Sequence, residues 1–105
     1  MKLLPDISSL TQAIAYVEQL GFTHEFVAVE EGMKDLVTKK VYAPESLVIK
    51  DVFRFEGYTD PDDLSVLYVL EASDGVRGWV SDAYGPYASP VLAEHLDKMK
   101  YEPEN

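Results

Sequence analysis

The chain has 105 residues, nine basic against nineteen acidic, a net charge of −10, 47% hydrophobic content and no cysteine. That length fits one α+β-sized domain with a single modest core, and the hydrophobic share argues against disorder. The missing thiols exclude disulfides, thiolate nucleophiles, zinc–thiolate sites and iron–sulfur clusters, while the acidic field disfavours nucleic acid and anionic membranes as partners.

Met1 to Asp6 holds one lysine and two leucines before Pro5 and Asp6, too short an apolar stretch for a signal peptide. The longest apolar run, Val66 to Leu70, falls far short of a membrane span, so the expected compartment is the cytoplasm. Ser9 to Leu20 then reads as a helix. Leu10, Ala13, Ile14, Val17 and Leu20 form one apolar stripe, Ser9 with Gln12 fits a capping box, and Gly21 suits the left-handed stop.

Phe26 to Val29 reads as a strand with Glu30-Glu31-Gly32 as its turn. Lys34 to Val41 is a weaker, charged strand, expected at a sheet edge where lysines discourage further pairing. Ala43 to Ser46 is a turn or a single helical turn beginning at Pro44. Val48 to Glu56 alternates, with Ile49, Phe53 and Phe55 on one face and Lys50, Arg54 and Glu56 on the other, interrupted by Asp51.

Leu64 to Ala72 is apolar on both faces, as expected of a central strand. Ser73-Asp74-Gly75 is a hairpin turn and Val76 to Tyr84 the returning strand, with Gly78 marking a bulge or a place where the Trp79 indole lies across its neighbour. Ser89-Pro90 caps a last helix with Leu92, Leu96 and Met99 on its apolar stripe and Val91 and His95 on the flanks. The tail from about Tyr101 to Asn105 is expected to fray. The sum is a single α+β domain, α-β-β-β(-β)-α, whose antiparallel meander is packed by the N- and C-terminal helices.

Candidate chemistry is sparse. A calcium loop counted from Asp60 puts Leu64 and Ser65 where a ligand and a glycine are required, so Tyr58 to Asp63 reads as a turn whose aspartates cap backbone. Glu56, Asp60, Asp63, Glu71 and Asp82 offer carboxylates, but spacing selects no acid–base pair. His24 reads as the residue that starts a strand. His95 reads as a packed histidine with a local hydrogen bond, and the two have no metal-ligand spacing. No glycine-rich phosphate loop or nucleophile elbow is present, so no catalytic residue, metal or cofactor is assigned. Tyr84 and Tyr87, flanking Gly85-Pro86, read as a packed corner or as recognition anchors. If strands 48–56 and 76–84 line one sheet face, Arg54, Glu56, Asp82 and Tyr84 converge there, with Tyr58 and Tyr87 beside them.

The stretches "LGFTHEF", "VFRFEGYTDPDDLSVLYVLEASDGVRG" and "DAYGPYA" resemble a family of small, uncharacterised proteins of about this length, found mainly in Bacteroidetes. The resemblance spans Ile7 to Leu96 and implies no mechanism. Some members carry the name phosphoribosylpyrophosphate synthetase, but those enzymes are much longer and need nucleotide and phosphoribose loops that this sequence lacks. The expectation is a non-enzymatic domain that binds itself or another protein. The alternative is a small-ligand or cation-binding module at Arg54, Glu56, Asp82 and Tyr84.

Overall fold

A computed structural model describes residues 9–55, 65–83 and 88–103. Helix α1, Leu10–Gln19, starts where the Ser9 hydroxyl accepts the Gln12 amide at 3.2 Å. It stops in a Schellman arrangement: the Phe22 amide donates to Val17 O and the Gly21 amide to Glu18 O. Gly21 takes φ 100°, open to glycine without strain. Phe22 and Val17, the two residues this motif brings together, are both buried in one core. Of the predicted stripe, Ala13 and Val17 are buried and Leu20 is exposed.

The strands are β1 (His24–Val29), β2 (Gly32–Asp35), β3 (Val41–Tyr42), β4 (Leu47–Phe55), β5 (Ser65–Ala72), β6 (Arg77–Ala83) and β7 (Lys100–Tyr101). A single turn of 3-10 helix at Pro44–Ser46 leads into β4, and helix α2 spans Pro90–Leu96. In space the strands run β3-β2-β1-β6-β5-β4-β7. The fold is α+β, but the expected antiparallel meander holds only within β1-β2-β3 and within β4-β5-β6. The sheet is mixed, because β1 lies parallel to β6 and β7 parallel to β4. Parallel partners far apart in sequence leave no mark on local periodicity, and these two pairings are what break the expected meander.

Three further corrections follow from the register. The expected charged strand 34–41 is a hairpin instead, with β2 and β3 joined by a loop in which Lys39 takes φ 69°. Ile49 does not share a face with Phe53 and Phe55. A bulge between Ile49 and Asp51 puts Ile49 in one core and both phenylalanines against the other. Gly78 is no bulge, since β5 and β6 pair without a shift from Ser65↔Ala83 to Glu71↔Arg77. A Cβ there would run into the His24 carbonyl oxygen and come within 2.6 Å of the Phe26 ring, so glycine is what lets β1 approach β6. The chain also stays paired through Tyr101, and the Glu102 amide donates to Ile49 O at 2.8 Å.

Strand β5 feeds two cores, as its doubly apolar sequence predicts. Leu67 and Val69 pack with Trp79, Phe22, Ala13 and Val17 under α1. Leu70 and Ala72 point the other way, to Phe26, Met33, Tyr42, Val80 and Leu92 of α2. Each fully buried leucine contributes about 1.5–3 kcal/mol by leaving water. The strand directions gather the starts of β1, β3, β4 and β6 and the ends of β2 and β5 at one end of the sheet. The opposite end carries the ends of β4 and β6 and the start of β5.

Candidate functional site

The polar groups with defined partners concentrate at the first of these ends. Asp35, the last residue of β2, is fully buried. One carboxylate oxygen accepts the Val37 and Thr38 amides at 2.8 and 3.3 Å, which closes the loop to β3. The other accepts Nδ1–H of His24 at 2.7 Å. Burial alone pushes the Asp35 carboxyl up, but the His24 bond and the two amides outweigh it and hold the group below its ordinary value. The pair is a consequence of register: Phe26 lies opposite Asp35, so His24, two residues earlier on the same face, is its diagonal neighbour.

A second anion, Asp74 in the β5–β6 turn, accepts Tyr42 Oη–H at 2.8 Å, Lys40 Nζ at 3.1 Å and its own Val76 amide at 3.1 Å. The Val76 amide first, then Tyr42 and Lys40, hold its carboxyl below the usual range. Burial, with Asp74 added, pushes the Tyr42 phenol up to about 12. Tyr42 also packs edge-to-face on Phe26, with the Lys40 ammonium 4.7 Å from its ring centre. Arg77, the first residue of β6, pairs through Nε with Glu71 at 3.2 Å and lies 4.0 Å over the Phe22 ring.

Between the α1–β1 connection and this turn runs an open groove of about 380 Å³, lined by Gly21, Thr23, His24, Asp74, Gly75, Val76 and Arg77. Just outside it the hairpin presents Val37 and Val41, 62% and 42% exposed, with Lys34, Lys39 and Lys40 around them. Chemically, this end offers an oriented imidazole, a stacked guanidinium and an apolar, lysine-flanked strand edge.

Of the residues expected from sequence, Arg54 and Asp82 sit at the other end. Arg54 and Asp82 do share a row and a face, through Arg54↔Val66 and Val66↔Asp82, but buried Val66 stands between them. Two strand spacings set them about 10 Å apart. The Asp82 carboxylate is already occupied, accepting the Ala83 amide at 2.8 Å and the Ser89 amide at 3.0 Å, which ties β6 to the cap of α2. Glu56, Tyr58, Tyr84 and Tyr87, with the turn expected at 58–63, lie outside the described residues. His95 is packed as expected, but its bond is not local: Nε2–H donates to Val29 O of β1 at 2.6 Å.

Among the described residues no three His, Asp or Glu side chains gather to hold a metal ion, and no helix is long and apolar enough to cross a membrane. The site that sequence reasoning missed was within its reach. A two-residue Glu30-Glu31 turn fixes the hairpin register, and that register alone brings His24 to Asp35. No protein-family model matches the chain, and no curated protein or solved structure is significantly similar to it.

Proposed function

We propose that this chain is a non-enzymatic protein-interaction domain, and that its contact surface is the β2–β3 hairpin. The observation that carries the reading is an outermost strand of two residues with exposed Val41 on it and exposed Val37 in the loop before it. Its partner is an extended, acidic segment of another protein, added alongside β3 as a further strand. Residues 32–42 hold three lysines and one aspartate, Asp35, which is buried, so the outward charge of the hairpin is positive. The rest of the chain holds six basic and eighteen acidic residues, the totals of nine and nineteen less those of the hairpin. Two copies meeting edge to edge here would set lysine against lysine, which favours a different protein over a homodimer. The reading places the protein in the cytoplasm. The resemblance to the small Bacteroidetes family remains a proposal carried by the quoted motifs, and it adds no activity.

The test is fluorescence anisotropy with a labelled octapeptide of alternating glutamate and valine, against the same peptide with lysine for glutamate. The glutamate peptide should bind in the micromolar range, weaken with salt, and shift backbone amide resonances of residues 33–42. Lys34→Glu with Lys39→Glu should weaken it at least tenfold. No saturable binding, or shifts confined to other residues, would sink the reading. A concentration-dependent dimer in light scattering, unchanged by the double variant, would assign a second copy elsewhere on the surface.

A further inference from the structure

We propose that the groove between Gly21–His24 and Asp74–Arg77 is a binding site for a small oxyanion, a phosphate monoester or the phosphate group itself, spatially distinct from the hairpin surface. Four features of the geometry converge on it. First, the His24 imidazole is not a loose surface ring. Its Nδ1–H donates to buried Asp35 at 2.7 Å, so Nε2 is the nitrogen left for a ligand, and the ring keeps this orientation whether or not a ligand brings a proton. Second, the Arg77 guanidinium lines the same groove, lies over the Phe22 ring and ion-pairs with Glu71 through Nε. A planar fork fixed in this way loses little freedom on meeting an oxyanion.

Third, the carboxylate at the groove's rim already has a counter-ion in Lys40. Asp74 takes one bond from Tyr42, one from Lys40 and one from the Val76 amide, so its charge faces those donors. Fourth, two of the seven lining residues are glycines, and nothing lies within 4 Å of where a Gly75 Cβ would be. The turn therefore leaves room for a ligand beside the side chains, while its own Gly75 and Val76 amides are taken by Ala72 O and Asp74. The volume of about 380 Å³ takes more than a bare ion, and lies at the lower end of the range for small-molecule sites. In a chain of net charge −10 the long-range field repels anions, so affinity must come from these fixed groups at contact.

The experiment is a titration of the full chain with inorganic phosphate and with glycerol 3-phosphate, read by backbone and imidazole nitrogen resonances. Sodium chloride at matched ionic strength is the control. Both probes should give saturable shifts at Thr23, His24, Gly75, Val76 and Arg77, beyond those from chloride, and the ester should bind more tightly. His24→Gln and Arg77→Lys should each weaken binding at least fivefold, while Arg54→Ala, at the opposite end of the sheet, should leave it unchanged. Shifts no larger than the chloride control would overturn the proposal in the unaltered protein. So would wild-type affinity in both groove variants.

Discussion

Replacing Asp35 tests whether one buried carboxylate holds this end of the sheet together. Asp35→Ala removes acceptors from three donors: His24 Nδ1 at 2.7 Å, the Val37 amide at 2.8 Å and the Thr38 amide at 3.3 Å. A hydrogen bond to a charged group contributes about 1.5–3 kcal/mol. The Thr38 contact is long, and an opened loop lets water replace part of both amide bonds, so the expected loss is about 3 kcal/mol rather than the sum. At roughly 2.1 cal/mol/K per residue, a chain of this length has an unfolding entropy near 220 cal/mol/K, which converts that loss into about 14 °C of Tm. Asp35→Asn separates charge from shape. The amide oxygen still accepts the loop amides, and the amide nitrogen can donate to Nδ1 once the imidazole proton moves to Nε2, but the charge is gone. The native carboxyl is held below its ordinary value, so its contribution is full above the unfolded value near 4 and is lost as pH falls through the folded one. Urea unfolding at pH 6 and pH 2.5 reads this directly. The gap between wild type and Asp35→Asn should be about 1–2 kcal/mol at pH 6 and narrower at pH 2.5. An equal gap at both pH values, or an Asp35→Ala loss below about 0.5 kcal/mol, would refute the account.

Gly78→Ala drives a methyl into the His24 carbonyl and the Phe26 ring. It should cost at least about 3 kcal/mol in urea unfolding, the upper end for overpacking, because backbone stands in the way. Lys39→Gly relieves the left-handed residue of the hairpin loop, φ 69°, and should stabilise by about 0.5 kcal/mol, the strain relieved less glycine's larger unfolded entropy. Tyr42 should ionise near 12: subtracting the 295 nm alkaline titration of Tyr42→Phe from that of wild type should leave a single step there and none near 10. Because its folded value is raised, Tyr42 supports the fold fully below pH 10, and that support is lost as pH climbs towards 12.

What could be read from sequence was what local chemistry determines. Ser9, Gly21, Ser89 and Pro90 placed both helices, since caps act within a turn of the residues they serve. The doubly apolar β5 announced its two-sided burial. The β1–β6 pairing was illegible for a different reason. His24 and Glu25 meet Gly78 and Trp79 across more than fifty residues, and the only trace is Gly78, whose missing side chain also suits a bulge. The bulge at Ile49/Asp51 was half legible: Asp51 signalled a break in the pattern, but a break in alternation does not say which side of it changes face.

The site expected from sequence and the groove differ for the same physical reason. Unpaired charge and tyrosine drew attention to residues 54–63 and 82–87, because a sequence displays side chains that have no evident partner. Side chains that do have partners look ordinary until register is followed. His24, Asp35, Tyr42 and Asp74 are single polar residues in four separate segments, and only the sheet order brings them within 3 Å of one another in pairs. Lys40 then joins the two proposed surfaces, since it starts the edge hairpin's return and bonds Asp74 at the groove's rim. A ligand that displaces Lys40 from Asp74 would free a lysine for the edge and leave a carboxylate at the groove. The two sites therefore oppose or reinforce each other through one side chain. Lys40→Met separates them: any coupling between phosphate and acidic-peptide affinity in the wild type should vanish in this variant, and coupling that persists would have to run through the β2–β3 backbone instead.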